Sequence, residues 1–166
     1  MGEAKKKGFT HDNKDNVSVD WYTPKWVFDA LGVYFDLDPC APECGAPWIP
    51  ALVSYSLKDD GLVSPWGGNV WLNPPYGENT YAWLERMHAH RQGICLVFAR
   101  TDCKWFHHFV AKADAILFME GRVKFVDGLG LTKGSGAGSG SMLVAWGTDN
   151  VKTLEGWPLG GLFVKL

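Results

Sequence analysis

The fold is decided by the segment Gly68-Asn69-Val70-Trp71-Leu72-Asn73-Pro74-Pro75-Tyr76-Gly77 near the middle of the chain. Residues 68–72 predict a short apolar strand, which the two prolines end at once because proline has no backbone N–H for a strand ladder. The spacing of apolar residues then predicts a helix over residues 79–91. The continuous apolar run over residues 94–99 is typical of a buried parallel strand. Strand, loop, helix and strand in this order indicate a unit of an α/β sheet.

Further strands and helices are predicted on both sides of this unit. The strands cover residues 33–38, 115–119, 142–146 and 162–164, with residues 123–126 as a hairpin arm of the second. One helix is predicted over residues 24–31, ended by Gly32, with Thr23 as its N-cap and a buried face of Trp26, Val27, Ala30 and Leu31. Asp102 is predicted to cap another helix, and residues 51–57 fit either a strand or a turn. This alternation predicts an α/β fold with a mainly parallel sheet and helices on both faces.

The composition is that of a globular domain. The chain has 166 residues, 46% hydrophobic, and a formal net charge of −2, which excludes a disordered chain and a strongly basic nucleic-acid coat. We expect a flexible polar arm over residues 1–19, then a single domain over residues 20–166 with a flexible Gly/Ser loop at residues 128–141. Neither a membrane span nor a signal peptide is expected, so the four cysteines are predicted to be reduced thiols in a cytoplasm.

The loop Asn73-Pro74-Pro75-Tyr76 is the candidate for chemistry. Ligands of open α/β sheets bind at the carboxyl ends of strands, and this loop directly follows one. The residue types suit methyl transfer to an exocyclic amino group, whose lone pair is delocalised into its ring. Two acceptors aimed at the two N–H bonds favour the geometry that frees the lone pair, and the Asn73 side-chain carbonyl and the Pro74 backbone carbonyl are candidates.

The prolines and the tyrosine support the same hypothesis. Pro74 and Pro75 fix the backbone, so the two carbonyls are held before positive charge develops on the nitrogen. Tyr76 offers a flat face on which a base taken out of its helix can stack. The alternative interpretation is that two prolines between a strand and a helix are only a turn.

The loop and its neighbours resemble the small phage DNA adenine-methyltransferases, a Dam-like family that uses S-adenosylmethionine. The resemblance covers most of residues 21–146. It rests on the blocks Trp21-Tyr22-Thr23-Pro24, Asp36-Leu37-Asp38-Pro39-Cys40, Asp60-Gly61-Leu62, Trp71-Leu72-Asn73-Pro74-Pro75-Tyr76-Gly77, Ala99-Arg100-Thr101-Asp102, Trp105-Phe106-His107 and Gly121-Arg122-Val123-Lys124-Phe125. Asn-Pro-Pro-Tyr alone also occurs in methyltransferases of RNA and protein amides, so the order of the blocks carries the specificity.

The resemblance implies a compact Rossmann-like methyltransferase fold and a set of cofactor-binding residues. The segment Tyr22-Thr23-Pro24 would lie against the methionine part of the cofactor, and Asp38-Pro39-Cys40-Ala41 would form the cofactor-binding loop. Asp60 is a candidate for the adenosine end, with an ordinary turn cap as the equal alternative. The general Gly-x-Gly of methyltransferase loops is missing after Asp38-Pro39.

DNA is the expected partner, and neither a membrane nor a metal ion is expected. Arg100, Arg122 and Lys124 could neutralise DNA phosphates, with a solvated basic edge as the alternative. Cys40 and Cys44 form only half of a zinc pattern, which argues against a metal site. The sequence leaves the oligomeric state open.

The motif together with the resemblance implies a phage-encoded DNA adenine methyltransferase of strong or weak sequence specificity. The methyl group of S-adenosylmethionine would pass to the amino nitrogen of a flipped adenine, held by Asn73 and Pro74 and stacked on Tyr76. Two alternatives stay open. One is the same chemistry on cytosine, RNA or a protein amide, and the other is a DNA-binding relic of the fold without turnover.

Overall fold

The computed structural model describes residues 21–43, 45–132 and 137–166. Within these residues the chain forms seven strands and four α-helices. The strands are β1 (Phe35–Asp38), β2 (Ala51–Ser54), β3 (Val70–Leu72), β4 (Gly93–Phe98), β5 (Ala115–Met119), β6 (Ser141–Trp146) and β7 (Gly161–Lys165). The helices are α1 (Lys25–Leu31), α2 (Thr80–His90), α3 (Lys104–His108) and α4 (Thr148–Glu155).

The strands form one mixed sheet in the order β2-β1-β3-β4-β6-β5-β7. The first four strands of this order pair in parallel, whereas β6 pairs antiparallel with both β4 and β5, and β7 pairs antiparallel with β5. The prediction of a mainly parallel sheet is therefore wrong. The physical reason is strand β6. Its six residues are all buried, so it takes a central position in the sheet. There it lies between β4 and β5, two strands that would otherwise be parallel neighbours.

The sheet is covered on both faces, as predicted. Val27, Phe28 and Leu31 of α1 share one core cluster with Val151 and Leu154 of α4. The other cluster contains Trp83, Leu84 and Met87 of α2 and also Val110, which begins a short 3-10 turn (Val110–Lys112) after α3. The protein is thus a mixed α/β structure, and its parallel half contains the predicted strand–loop–helix–strand unit.

Several local predictions need correction. Pro24 and Cys103 are the N-caps of α1 and α3 in place of Thr23 and Asp102, and neither forms a side-chain capping bond. Phe28 is buried in α1, whereas Trp26 is 40% exposed, because α1 turns Phe28 toward Trp71 at a ring distance of 4.8 Å. Gly32 ends α1 in the left-handed conformation, as predicted.

The predicted hairpin arm over residues 123–126 is also wrong. Val126 forms isolated bridges with Tyr22 and Thr132, while both sides of β5 are already occupied by β6 and β7. Residues 51–57 divide between β2 and the start of a 3-10 turn, Leu57–Asp59. Helix α4 was not predicted.

Part of the sequence analysis concerns residues outside the described chain. The predicted arm over residues 1–19, Cys44, and residues 133–136 of the Gly/Ser stretch belong to this part. Within the described ranges, no helix is long and apolar enough to cross a membrane.

Candidate active site

The predicted loop lies where the carboxyl ends of three parallel strands meet. Asp38 ends β1, Asn73 directly follows β3, and Phe98 ends β4. From β1 the chain moves outward to β2 and then returns to β3 on the other side of β1. Such a reversal of strand order opens a crevice beyond the strand ends, which is the usual ligand site of open α/β sheets.

The conformation of the loop is fixed by side-chain hydrogen bonds. The Asn73 Nδ2 donates to the Trp21 backbone carbonyl at 2.7 Å, and the Tyr76 hydroxyl donates to Asn73 Oδ1 at 3.4 Å. The Thr80 hydroxyl at the start of α2 accepts from the Gly77 N–H and donates to the Pro75 carbonyl, both at 3.1 Å. The bond to Trp21 determines which end of the amide is oxygen. Among the described residues, the Asn73 oxygen therefore accepts one long hydrogen bond and has capacity for another.

The backbone carbonyl of Pro74 is the second predicted acceptor. Among residues 21–43, 45–132 and 137–166, no donor reaches its oxygen. The neighbouring Pro75 carbonyl, in contrast, is occupied by Thr80. The loop thus presents two adjacent carbonyl oxygens with unused acceptor capacity.

Tyr76 belongs to an aromatic cluster. Its ring stacks on Phe98, with ring centroids 4.0 Å apart and an angle of 15° between the planes, and meets Phe125 edge-on. Trp21 meets Phe125 edge-on as well. Among the described residues, Phe98 covers one face of Tyr76, which leaves the opposite face for a base. Burial raises the pKa of Tyr76 far above its ordinary value, so its hydroxyl is a neutral hydrogen-bond donor.

The segment predicted to contact the methionine part of the cofactor lies against this loop. Tyr22 exchanges two backbone hydrogen bonds with Val126, and the preceding residue, Trp21, accepts from Asn73. Thr23 is fully buried, and its carbonyl accepts from the indole N–H of Trp48 at 2.9 Å. Its hydroxyl, however, has no hydrogen-bond partner within the described chain. A buried hydroxyl of this kind requires an explanation, such as a ligand atom or an ordered water that completes its hydrogen bond.

Asp38, predicted for the cofactor loop, is a buried carboxyl group. The Cys40 N–H donates to its Oδ1 at 3.0 Å. The pKa of Asp38 is raised from 3.8 to about 7, because desolvation by burial outweighs the lowering effect of that hydrogen bond. Among the described residues, no lysine, arginine or histidine pairs with it. Burial also raises the pKa of the Cys40 thiol, which stays protonated.

Asp60 lies in a turn that packs against the loop after β1. A Cβ atom on the next residue, Gly61, would lie 2.1 Å from the Pro39 carbonyl oxygen, so only glycine allows this approach. Asp60 itself is exposed, and its carboxylate accepts the Leu62 N–H at 3.2 Å. The turn cap that was the alternative interpretation is thus present, and the turn also borders the Asp38-Pro39 segment.

The three predicted DNA-binding residues are exposed. The Arg100 guanidinium lies over the Phe98 ring, 5.6 Å from its centroid. Arg122 donates to the Ala137 carbonyl at 3.2 Å, and Lys124 lies between Val123 and Phe125, which are both buried in the core. None of the three is paired with a carboxylate of the described chain.

Sequence reasoning missed the aromatic partners of the loop. Phe98 and Phe125 form the surface on which Tyr76 packs, and Trp21 supplies the carbonyl that orients Asn73. The sequence signal that could have found Phe98 is its position at the end of the apolar run that forms β4. Because β4 pairs in parallel with β3, its end lies beside the loop that follows β3. No group of three His, Cys, Asp or Glu residues suited to a metal ion occurs among the described residues.

Comparison with known proteins identifies the family of the chain. Residues 10–154 match the family model described as DNA N-6-adenine-methyltransferase (Dam). Searches of curated proteins and of solved structures found no match. Because the family match covers most of the sequence and includes the loop at the end of β3, the chain belongs to the DNA N-6-adenine-methyltransferase (Dam) family, whose members are transferases.

Proposed function

We propose that this chain transfers the methyl group of S-adenosylmethionine to the exocyclic amino group of an adenine flipped out of DNA. One observation carries the proposal: two carbonyl oxygens with spare acceptor capacity, on Asn73 and Pro74, lie at the end of β3 beside Tyr76. The family supplies the reaction class. The parallel strands β2-β1-β3-β4, with helices on both faces of the sheet, support a Rossmann-like frame.

The proposed mechanism depends on acceptors held in place before the reaction. The two oxygens accept the two amino N–H bonds, so the nitrogen lone pair leaves conjugation with the ring. The same oxygens stabilise the positive charge that develops on the nitrogen, without reorganising. The methylated nitrogen then loses a proton to water, and no strong base is required. Stacking on the open face of Tyr76 holds the base in place.

The described residues fit the cofactor. When bound, S-adenosylmethionine supplies an electrophilic methyl group and brings a sulfonium, an ammonium and a carboxylate. Within the described chain, the buried Asp38 carboxyl group pairs with no cation and the Thr23 hydroxyl has no hydrogen-bond partner, so both match polar parts of such a ligand. We assign the remaining contacts to Tyr22, Pro24, Pro39 and Cys40, and the adenosine end to Asp60.

A labelled-methyl assay tests the proposed function. The full chain is incubated with S-adenosylmethionine carrying a labelled methyl group and, separately, with DNA, RNA and a protein mixture. Label in DNA alone is expected. Label in RNA or protein alone would contradict DNA as the substrate. DNA binding without methyl transfer would indicate a DNA-binding protein that keeps the fold and has lost its activity.

Tyr76→Ala is expected to lower methyl transfer about 10- to 100-fold, because base–aromatic stacking is worth ~1–3 kcal/mol. Tyr76→Phe should retain most of the activity, because it keeps the ring and loses only one long hydrogen bond to Asn73. The matched control is Tyr34→Ala, since Tyr34 is 86% exposed. Base flipping is followed with 2-aminopurine fluorescence. If Tyr76→Ala and the wild type flip the base and turn over equally, Tyr76 does not stack on the base.

Arg100→Gln is expected to weaken DNA binding and to make it less sensitive to salt. Each phosphate contact that is lost reduces the slope of log K against log salt by about 0.9. Arg122→Gln and Lys124→Gln should act similarly, whereas Lys165→Gln, on the edge strand β7, serves as the control. Fluorescence anisotropy over a salt series measures the slope. A slope unchanged by all three substitutions would assign these residues to a solvated edge.

A further inference from the structure

Two exposed leucines lie on one tight turn, residues 127–131, that no sequence motif marks. Leu129 is 79% exposed and Leu131 is 63% exposed. Leu129 lies at the tip of the turn, whereas Leu131 lies at its base, where its carbonyl accepts the Asp127 N–H at 2.9 Å. Single exposed apolar side chains need no explanation, but here two of them lie on five residues. The turn is therefore a candidate contact surface.

The backbone of this turn is fixed by its own hydrogen bonds. The Asp127 carboxylate accepts the Leu129 N–H at 2.9 Å and the Leu131 N–H at 3.0 Å. The Gly130 N–H donates to the Asp127 carbonyl at 3.0 Å. Gly130 has a φ of +79°, which favours glycine, and a Cβ atom there would lie 3.4 Å from the Trp48 ring. The backbone that carries Leu129 is thus ordered before any partner binds, which lowers the entropic cost of binding.

The turn is joined to the aromatic cluster of the proposed base site. Phe125 meets Tyr76 edge-on, and Leu129 follows Phe125 by four residues, so its Cα lies within about 14 Å of that of Phe125. The residue between Phe125 and the turn, Val126, exchanges two backbone hydrogen bonds with Tyr22. The residue before Tyr22 in turn accepts a hydrogen bond from the loop that follows β3. The tip of the turn is therefore close to the base site without being part of it.

The same segment carries two cations. Arg122 and Lys124 precede the turn, are exposed, and pair with no carboxylate of the described chain. DNA presents phosphates along both edges of a stack of apolar base faces. A segment with cations at its start and a leucine at its tip is complementary to this arrangement, since the cations match the phosphates and the leucine matches the bases.

We propose that Leu129 is a wedge that enters the DNA base stack and fills the space left by the flipped adenine. The inference rests on the proposed function. Flipping a base costs free energy, because the base loses its pairing and its stacking. Proteins that distort DNA insert leucine and similar apolar side chains between base steps. Leu129 stabilises the flipped state because it covers base faces that would otherwise be exposed to water.

Leu129→Ala is tested on two duplexes that contain an adenine methylated by the wild-type protein. In one duplex the adenine pairs with thymine. In the other it faces cytosine, a mismatch that lowers the cost of flipping. On the paired duplex, single-turnover methyl transfer by the variant should be about tenfold slower than by the wild type, because apolar contact with the bases is lost. On the mismatched duplex the two proteins should differ by less than about threefold.

Two further variants control for stability and for the loss of any exposed leucine. Leu129→Met keeps a long apolar side chain and should retain most of the activity on both duplexes. Leu166→Ala should leave activity unchanged. Leu166 is 53% exposed, and its N–H donates to the carbonyl of Asp114, which precedes β5 at the end of the sheet opposite to the base site. Because Leu129 is exposed, its variants should melt like the wild type. The fluorescence of 2-aminopurine at the target position measures flipping and should fall in Leu129→Ala.

The outcomes separate this inference from the proposed function. If the wild-type protein methylates no DNA, the proposed function fails and the wedge fails with it. If the wild-type protein methylates DNA and Leu129→Ala is equally active on the paired duplex, only the wedge fails. An equal loss on the paired and mismatched duplexes overturns the wedge as well, because it would show that Leu129 contributes to DNA binding in general.

Discussion

Replacing Asn73 by alanine is expected to reduce methyl transfer by at least 100-fold while the protein still binds cofactor and DNA. The substitution removes one of two preorganised acceptors, and losing one group of such a pair typically costs about 10²–10³ in kcat. It also removes the hydrogen bond to the Trp21 carbonyl, for which we expect a stability loss of about 1 kcal/mol. Single-turnover methyl transfer at saturating cofactor measures the chemical step separately from binding.

The control for this substitution is Asn79→Ala. Asn79 precedes α2 in the same connection, is exposed, and forms no side-chain capping bond. Its removal should leave turnover within about twofold of the wild type, as is usual for surface changes worth less than ~0.5 kcal/mol. Turnover by Asn73→Ala that equals turnover by the control would exclude the amide oxygen from the mechanism.

Asp38→Asn is expected to stabilise the protein without ligand near pH 8 by roughly 4 kcal/mol. Burial raises the pKa of this carboxyl group from 3.8 to about 7, and one pKa unit corresponds to about 1.4 kcal/mol. Below pH 3.8 both the folded and the unfolded states hold the proton. As the pH rises toward 7, the unfolded chain loses it first, so the free energy of unfolding of the wild type falls. Above pH 7 the penalty remains constant.

Urea denaturation at pH 5 and pH 8 measures this difference. The stability gain of Asp38→Asn should be larger at pH 8 than at pH 5, because asparagine does not ionise. Asparagine can still accept the Cys40 N–H, so the local hydrogen bond is preserved. The matched control is Glu85→Gln, at an exposed position of α2. An equal gain at both pH values would mean that Asp38 is ionised across this range.

The same substitution is expected to weaken cofactor binding by about tenfold or more, since hydrogen bonds to charged groups are worth about 1.5–3 kcal/mol. Wild-type affinity should rise between pH 5.5 and 7.5 as Asp38 ionises, and the variant should lose this dependence. Calorimetry with S-adenosylmethionine and S-adenosylhomocysteine shows which cation Asp38 faces. A loss confined to the first indicates the sulfonium, whereas equal losses indicate the ammonium. Unchanged affinity for both ligands would remove Asp38 from the cofactor site.

The local unit around the loop could be predicted because its signals are local. Prolines end β3, apolar spacing marks α2, and a continuous apolar run marks β4. The sheet order could not be predicted, since nothing in β6 specifies which strands it joins. Its six buried residues show that it is central, but both the position between β4 and β5 and the antiparallel direction come from tertiary packing.

The site shows the same division. Asn73, Pro74 and Tyr76 form a contiguous motif whose chemistry can be interpreted from residue types. Phe98 borders the site only because β4 pairs in parallel with β3, which brings together residues 22 positions apart, Tyr76 and Phe98. Likewise, within the described residues Asp38 pairs with no cation and the Thr23 hydroxyl has no partner, and no sequence pattern records either fact.

The position of the transferred methyl group tests the central claim most directly. DNA treated with the wild-type protein and S-adenosylmethionine is digested to nucleosides and analysed by mass spectrometry. N6-methyldeoxyadenosine should accumulate with the wild-type protein and fall at least 100-fold with Asn73→Ala. Methyl groups found only on cytosine, or N6-methyldeoxyadenosine formed equally by both proteins, would contradict the assignment of the two carbonyl oxygens to an adenine amine.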